Sequence, residues 1–475
     1  MMQKANHQKS SILGLVWVEI LIMMQQLFQF ITFPLLNAFN YLYIKEHYIN
    51  LSNSDHIRES THHKRRLKIV HLTDFHFDYR IPAGSQDNKN LNDDHFSLFE
   101  KFNAWWRWLR RNIRYHRISH SQLNEILLEI ENIQNIDLIV ITGDIFEDFS
   151  NIDIDWMIEN FLSKLNNYCS LGVYAVLGNH DERHCSEKDR DVLIKKLSTA
   201  ITVLDAHSEF TKHKFFTTIT KATEDASFDI EIYGFLDFYN THFWENYHKI
   251  VKHLNENPVK ENTLRFLLSH NPDTIAWIKN DIFHFDMIFS GHTHGGQVCC
   301  PIPSLILKNV LALFWRIYIK DVSFDHFLQI HFSFEQVHQM NEGVFTYIPI
   351  IPIIIYLYKK ATLWTFVRHK ISKLKIVQRI LNVCKYWEWG TGLFELKWQD
   401  DSTLIDRVFH HHQRVSSLQQ EINIASSEDE NFIKLIFRTY KIDRKQFVHT
   451  SSGLGTHYPM RLFCPPEISI LNLSF

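Results

Sequence analysis

Five short groups of polar residues have side chains that bind divalent metal ions, and each follows a short apolar run. In chain order they are Asp74-Phe75-His76, Gly143-Asp144, Gly178-Asn179-His180-Asp181, His270, and Gly291-His292-Thr293-His294. Carboxylate, amide and imidazole groups together suit Mn²⁺, and they also accept Fe, Co or Zn. The residue types therefore predict a metal site that can bind a phosphate and promote its hydrolysis.

The spacing within the groups supports this chemistry. Residues two apart in an extended chain point to the same side, so Asp74 and His76 can face one ion. Gly143 allows close approach of the backbone, and Asp144 can offer its two oxygens to two cations. Each group alone is a weak signal, because a single His is more often a hydrogen-bonded structural residue. The prediction depends on all five occurring in this order.

The elements that must position these groups are strands. Six apolar runs predict them: Leu67–Thr73, Ile136–Thr142, Val173–Leu177, Phe228–Tyr233, Leu264–Leu268 and Phe285–Phe289. A helical repeat of Leu123, Ile126, Leu127 and Ile130 lies between the first two runs. Ligands in open α/β sheets lie at the carboxyl ends of strands, which is where the polar groups begin.

Composition narrows the function classes. The chain has 475 residues, 45% hydrophobic and 22% charged, with a formal net charge of -3. These are values of a folded protein, and they exclude wholesale disorder and a global positive field for nucleic acid. Six scattered cysteines do not form a disulfide framework, so a reducing compartment is expected. The sequence gives no indication of oligomeric state.

The N-terminal segment is amphipathic. An apolar run extends from Ile12 to Ile44, and its polar residues, among them Glu19 and Gln26, fall on one side of a helical wheel. This pattern favours a helix lying in the membrane interface over one that spans the bilayer. The alternative is a helix packed on the protein itself.

A second segment combines aromatic and basic residues. Between Phe96 and Arg114, aromatic and aliphatic residues recur at steps of three and four, flanked by Arg107, Arg110 and Arg111. Trp and Arg together suit a membrane interface, so these arginines are candidates for substrate phosphate. An ordinary helix with its aromatics packed inward is the alternative.

A long insert follows the last polar group. Leu305–Tyr318 reads as an apolar helix, and Val344–Tyr358 is a hydrophobic stretch with two prolines, too short to span a bilayer. The insert enters directly after His292 and His294, which predicts a hydrophobic lid or membrane-docking region beside the metal site. The alternative is a small separate core in which these segments bury each other.

The order of the five groups resembles the calcineurin-like metallophosphoesterase superfamily. Three phrases, Leu267-Leu-Ser-His-Asn-Pro-Asp273, Gly291-His-Thr-His-Gly-Gly-Gln297 and Ser452-Gly-Leu-Gly-Thr456, are narrower. With Arg461-Leu-Phe-Cys-Pro-Pro-Glu467 they resemble the branch of membrane-associated phosphoesterases that includes the chlamydial-type UDP-2,3-diacylglucosamine hydrolase. The resemblance covers about 68–297 and 447–473 and leaves out the intervening insert.

The resemblance implies roles for individual residues. Asp74, His76 and His294 would hold one metal ion, Asn179, His270 and His292 would hold the other, and Asp144 would bridge them. Two divalent ions, usually Mn²⁺, are expected. His180 would stabilise the transition state or protonate the leaving oxygen, oriented by Asp181 or Glu147. Glu147 and Asp78 stand where the family often has Asp and Gly.

Together these expectations define an α/β (α+β) protein, a metallophosphoesterase β-sandwich flanked by helices. The expected partition is a membrane-associating segment over 1–60, the metallophosphoesterase domain over 61–300 and 445–475, and the insert over 301–444. The expected reaction converts UDP-2,3-diacylglucosamine to lipid X and UMP in lipid A biosynthesis, on the cytoplasmic face of the inner membrane. Another membrane lipid phosphate, or a catalytically silent scaffold, is the alternative.

Overall fold

The computed structural model describes eighteen stretches of the chain, and all structural statements below concern them. They are 42–52, 65–77, 118–147, 154–183, 185–205, 215–222, 227–237, 240–260, 262–274, 284–296, 299–318, 323–325, 328, 332–343, 345–349, 391–396, 445–455 and 464–475. The predicted interfacial helix before residue 42, the segment with Arg107, Arg110 and Arg111, and most of the second hydrophobic stretch lie outside them.

Six strands form the first sheet. In chain order they are β1 (Tyr43–Asn50), β2 (Arg66–Leu72), β3 (Leu138–Thr142), β4 (Val173–Val176), β5 (Thr202–Val203) and β14 (Glu467–Ser474). Their spatial order is β1-β14-β2-β3-β4-β5, and every pair is parallel except β14 with β2. The last strand of the chain therefore lies between the first two.

The second sheet also has six strands. They are β6 (Phe216–Ala222), β7 (Ser227–Gly234), β8 (Thr263–Leu268), β9 (Met287–Ser290), β12 (Gly392–Leu396) and β13 (Gln446–Thr450). The spatial order is β12-β13-β9-β8-β7-β6, with antiparallel pairs only at the two edges. Strands β10 (Cys299–Pro303) and β11 (Phe345–Pro349) form a separate antiparallel pair.

Side chains from both sheets meet in one apolar layer, which includes Ile69, Val140, Ile230 and Phe266. On the outer face of the first sheet pack the helices α1 (His120–Asn132), α2 (154–165, with a π-helical turn) and α3 (Glu187–Leu197). Helix α4 (Phe243–Glu256) packs on the outer face of the second. Strand β3 is buried along its whole length because both faces of its sheet are covered, which is why it reads as a continuous apolar run.

This arrangement confirms the predicted sandwich flanked by helices. The predicted α1 repeat and all six predicted strands are present, with ends shifted by one or two residues. Two of the shifts have a polar cause. The Asp137 carboxylate accepts the Lys68 backbone N–H at 2.8 Å, and the Asp286 carboxylate accepts the Arg265 backbone N–H at 2.8 Å. Each acid therefore binds the backbone of a neighbouring strand just before its own strand begins.

Two strands come from segments that the sequence analysis placed outside the metallophosphoesterase domain. Strand β1 lies in the predicted 1–60 segment and pairs with β14, and β12 lies in the predicted insert and pairs with β13. In β1, buried His47 and Ile49 alternate with exposed residues, as expected of a strand with one covered face. The partition of the chain into domains stays a prediction.

Within the insert, the apolar helix was predicted closely: α5 covers Ser304–Tyr318. Its residues Leu307, Leu311 and Trp315 pack on a small core around Leu328 and Met340, where α6 (Phe334–Glu342) also packs. Among the residues that the structure describes, no helix is both long and apolar enough to cross a bilayer.

A buried histidine pair joins the two sheets beneath the polar strand ends. Nδ1 of His71 on β2 lies 2.9 Å from Nδ1 of His449 on β13, and His71 Nε2 lies 2.8 Å from the Thr142 hydroxyl. Burial, with a smaller contribution from His47, lowers the pKa of His71 to about 3. Burial also lowers the pKa of His449 well below its ordinary value, so both imidazoles are neutral in the folded protein at neutral pH.

This pair predicts acid sensitivity. An unfolded chain binds a proton at His71 below its ordinary pKa of about 6.5, while the folded chain does not, so stability is lost as pH falls from there toward 3. Between about pH 7.5 and about pH 5.5, metal-free wild type should lose about 1.4 kcal/mol of unfolding free energy more than His71→Asn. Urea unfolding at both values measures this. Equal losses in the two proteins would contradict it.

Candidate metal centre

The predicted metal-binding groups all lie where strands of the two sheets end. Asp74 and His76 follow β2, Asp144 follows β3, and Asn179 follows β4 in the first sheet. His270 follows β8, and His292 and His294 follow β9 in the second. Backbone bonds hold neighbouring loops side by side: Asp74 N–H donates to the Gly143 carbonyl at 3.0 Å, and His76 N–H to the Asp144 carbonyl at 2.9 Å.

Five of these residues have left-handed backbone conformations. Their φ angles are 53° at Asp74, 47° at His76, 49° at Asp144, 67° at His292 and 50° at His294. In the described chain, only one other non-glycine residue, Asn135, has a positive φ. Such conformations are uncommon for residues with a side chain and cluster at functional sites. The loops are thus strained where side chains must be turned toward one point.

Two glycines give these side chains room. A Cβ on Gly178 would overlap the Asp144 carboxylate, and a Cβ on Gly291 would overlap Asp74 and the Thr73 hydroxyl. Each glycine stands directly before a predicted ligand, Asn179 or His292. Their lack of a side chain is what lets acids from neighbouring strands approach.

The first ligand group consists of Asp74, His76 and His294, all buried. The Nε2 atoms of His76 and His294 face each other at 3.3 Å. Asp74 Oδ1 lies 3.9 Å from His76 Nε2 and 3.8 Å from His294 Nε2. Three potential ligand atoms therefore surround one small volume.

The second group consists of Asp144, His270 and His292, with Asn179 beside them. His270 Nε2 lies 3.1 Å from His292 Nδ1 and 3.1 Å from the Asn179 side-chain oxygen. Asp144 Oδ2 lies 3.2 Å from His270 Nε2 and 3.5 Å from His76 Nε2, so one oxygen faces both groups. The other oxygen, Oδ1, accepts the backbone N–H of His180 at 2.8 Å.

The outer ring nitrogens of three histidines are already bonded. Nδ1 of His76 contacts Glu147 Oε2 at 2.8 Å, Nδ1 of His270 contacts the Thr142 carbonyl at 2.6 Å, and Nδ1 of His294 contacts the Gly455 carbonyl at 3.1 Å. Each acceptor fixes a proton on Nδ1 and leaves Nε2 as a lone-pair donor toward the centre. This is the usual support for imidazole ligands of a metal, and the residues present fit divalent ions.

When protons are the only cations bound at this centre, charged imidazole and carboxylate groups lie close together. Burial alone would lower the pKa of His270, but the charge of Asp144 and its hydrogen bond hold it well above the ordinary value. Burial raises the pKa of Asp74, and the neighbouring imidazoles counteract this only in part. Metal binding therefore competes with protons, because imidazole ligands must be neutral to bind an ion.

His180 is oriented by Glu147. The ring Nδ1 donates to the Glu147 carbonyl at 3.1 Å and lies 3.6 Å from its carboxylate, whose Oε2 also binds His76. The carboxylate of Asp181, predicted as a catalytic residue, contacts backbone N–H groups. Its carboxylate accepts the backbone N–H groups of Phe146 at 2.8 Å and Gly178 at 2.9 Å. Asp181 thus contacts the backbone of the loops after β3 and β4, while Glu147 contacts the His180 ring, and the catalytic role of Asp181 stays a prediction.

Sequence reasoning missed several groups that complete the centre. Thr142 and Gly455 contribute only backbone carbonyls, which no residue-type pattern reveals. Gly455 belongs to the phrase Ser452–Thr456, which supported the family resemblance but had no predicted role in the site. It lies against the site because Leu454 N–H donates to Thr73 and Gly455 N–H to Asp74.

Comparison with known proteins agrees with this geometry. The model of the calcineurin-like phosphoesterase family matches residues 67–296. The uncharacterized metallophosphoesterase YkoQ of Bacillus subtilis is 30% identical over 210 residues, 42% of this chain and 67% of that protein. The chain belongs to the calcineurin-like phosphoesterase family.

Two further relatives are matched over shorter shares. The UDP-2,3-diacylglucosamine pyrophosphatase LpxG of Chlamydia muridarum is 28% identical over 197 residues, 35% of this chain and 56% of that protein. The uncharacterized metallophosphoesterase Cj0846 of Campylobacter jejuni is 30% identical over 183 residues, 38% of this chain and 41% of that protein. The matched segments thus span about half the length of these two relatives.

Asp144→Ala should lower the metal content of the centre. Its Oδ2 is the atom that faces both ligand groups, so without it two cations would repel each other with no shared carboxylate between them. Metal content after dialysis, measured by mass spectrometry, should fall from about two ions per chain to about one or none. Asp286→Ala is the matched control, a buried acid that binds the Arg265 backbone instead. Full metal content in Asp144→Ala would refute the bridging assignment.

Proposed function

We propose that this protein is a metal-dependent phosphoesterase that hydrolyses a phosphodiester or pyrophosphate bond. The observation that supports it most is the pair of buried ligand groups that converge on Asp144 Oδ2. Seven side chains held at strand ends, five of them at a conformational cost, have no comparable use in a passive scaffold.

Asp74, His76 and His294 would hold one ion, Asn179, His270 and His292 the other, and Asp144 would serve both. When bound, two divalent ions neutralise charge on a phosphate and acidify water for in-line attack. The mixture of carboxylate, amide and imidazole suits Mn²⁺, which we propose as the metal.

The chain's own acid-base group is His180. With Nδ1–H bonded to the Glu147 carbonyl, Nε2 would donate a proton to the leaving oxygen only in the doubly protonated imidazolium form, whose charge the Glu147 carboxylate 3.6 Å from Nδ1 would stabilise. Its ring packs edge-on against His76 with centroids 4.7 Å apart, so it lies beside the first ligand group. Asp144 further fixes its backbone through the 2.8 Å bond to its N–H.

His180→Ala should retain the metals but lower the hydrolysis rate by roughly 10² to 10⁴, the range of a positioned acid-base group. The rate is measured on bis-p-nitrophenyl phosphate with Mn²⁺, and the metal content on the same sample. His248→Ala is the matched control, because its ring also binds a backbone carbonyl, that of Trp244, but on an exposed surface of α4. Loss of metal from His180→Ala would mean that His180 is a ligand.

For the substrate we propose UDP-2,3-diacylglucosamine, cleaved to lipid X and UMP as a step of lipid A biosynthesis. The Chlamydia relative acts on this molecule by its name. Its pyrophosphate suits a two-metal centre, and its acyl chains need an apolar surface. The arginines Arg107, Arg110 and Arg111 are proposed to bind substrate phosphate. Another membrane lipid phosphate is the second candidate.

Helix α5 supports a lipid-like substrate. One face of α5 packs on the insert's small core, and the other exposes Leu305, Ile306, Val310 and Leu313 with exposed fractions of 73%, 58%, 58% and 60%. Four neighbouring aliphatic side chains are more than a solvated helix needs, and such patches mark interaction surfaces. We propose that the insert (301–444) and the N-terminal segment (1–60) bring the domain to the cytoplasmic face of the inner membrane as a peripheral protein.

Incubation with UDP-2,3-diacylglucosamine in mixed micelles tests the proposed substrate and the proposed contribution of the exposed face of α5. Wild type should release UMP and the lipid monophosphate. Val310→Ser with Leu313→Ser should raise KM for this substrate about tenfold, because each loses part of an apolar contact worth about 1.5 to 3 kcal/mol when complete. Hydrolysis of the water-soluble bis-p-nitrophenyl phosphate should not change.

Leu128→Ser with Val192→Ser is the control, since these exposed aliphatics lie on α1 and α3. Equal loss on both substrates would favour a purely structural insert. Hydrolysis of the soluble ester without release of UMP would point to another lipid phosphate. If the Mn²⁺-loaded protein hydrolyses neither substrate, the remaining candidate is a catalytically silent scaffold.

A further inference from the structure

The turn 178–183 carries Asn179 and His180, and it is clamped from outside the metal centre. Two residues past His180, Glu182 accepts a hydrogen bond from Arg190 Nε at 2.6 Å. Arg190 stands on α3 and its guanidinium also donates to Asp205, which follows β5. One guanidinium therefore joins two acids from two loops of the first sheet.

The same carboxylate of Glu182 is bound from the second sheet. The Asn240 side-chain amide lies 3.0 Å and 2.8 Å from its two oxygens. Asn240 is itself held by a backbone bond to the carbonyl of Asp237, in the loop that follows β7, at 2.9 Å. Glu182 thus links the loops after β4, β5 and β7 at the edge of the sandwich where the metal ligands stand.

The members of this cluster are shielded from solvent. The exposed fractions of the side chains are 16% for Glu182, 12% for Arg190 and 1% for Asp205. Bonds to charged groups in such surroundings are stronger than surface ion pairs, which contribute little. The cluster can therefore hold the turn in one conformation.

We propose that Arg190 and Glu182 are positioning residues for the metal centre: through the turn they set the place of the Asn179 side chain and the His180 ring. The proposal rests on the assignment of Asn179 as a metal ligand in the proposed function. Neither residue touches the ligand atoms themselves. They act as outer partners, whose loss in metal sites typically weakens binding 10- to 100-fold.

The chain contains a close match for a control. Arg265 Nε binds Glu231 Oε2, also at 2.6 Å, and the Glu231 side chain is 17% exposed. This pair lies on the outer face of the second sheet, where Arg265 also donates to the Asn257 carbonyl at the end of α4. Glu231→Ala therefore removes an ion pair of the same length away from the turn. It also removes the acceptor of the Tyr233 hydroxyl at 3.0 Å, so we expect a loss of stability at least as large as that of Glu182→Ala.

The first measurement needs no metal. His180 N–H donates to Asp144 Oδ1, so hydrogen exchange at this amide reports whether the turn keeps its place. In metal-free protein, Glu182→Ala should accelerate that exchange by about tenfold or more, while Glu231→Ala leaves it unchanged. Equal exchange in Glu182→Ala and Glu231→Ala would overturn the proposal whatever the protein hydrolyses.

The second measurement is a Mn²⁺ titration by calorimetry. Glu182→Ala should weaken one of the two binding events about 10- to 100-fold and leave the other within about twofold. Arg190→Lys should give an intermediate loss, because Lys keeps the charge but cannot reach both acids with a planar fork. Wild-type affinities at both sites of Glu182→Ala, beside an unfolding free energy lowered as in Glu231→Ala, would show a merely structural pair. Absence of Mn²⁺ binding in wild type would refute the proposed function, and the exchange result would still decide the positioning role.

Discussion

The architecture of this protein depends on keeping a few polar side chains close together in a site from which water is excluded. Asp74, His76, Asp144 and His270 are all essentially inaccessible to solvent. Burial of one such group without partners costs several kcal/mol, so the surrounding chain must provide them. It does so mainly with backbone: carbonyls of Thr142 and Gly455 hold imidazoles, and N–H groups of His180 and His292 hold carboxylates.

The two-sheet architecture follows from that requirement. Ligands come from the ends of strands in both sheets, so the gap between the sheets at that edge becomes the centre. Between this centre and the apolar layer lies the pair of His71 and His449, which joins the two sheets. His71 Nε2 is hydrogen-bonded to the Thr142 hydroxyl. Thr142 in turn supplies the carbonyl that orients His270. The orientation of a ligand is thus tied to the packing of the sandwich core.

Much of this was accessible from the sequence, for a physical reason. Buried parallel strands must be apolar throughout, and ligands at their ends must be polar, so the boundary between the two is abrupt and readable. The prediction was weaker for contributions made by backbone atoms, as at Gly455, and for choices between neighbouring acids. Asp181 and Glu147 are neighbouring acids near His180 that sequence alone does not distinguish. In the structure the Asp181 carboxylate accepts backbone N–H groups, and the backbone carbonyl of Glu147 accepts from the His180 ring. Strands β1 and β12 were missed because their pairing partners lie far along the chain.

The position of β14 has a consequence for the folding of the protein. This strand, the last of the described chain, pairs with β1 on one side and β2 on the other, and the preceding segment supplies the carbonyl of Gly455 to His294. Residues 1–440 contain all seven proposed ligand side chains but neither the strand that joins β1 to β2 nor this carbonyl. Contacts between residues so far apart in sequence form slowly. The centre therefore reaches its final geometry only after 445–475 has docked on the rest of the sandwich, and we expect the rate of that docking to limit how soon the folded protein can bind a metal.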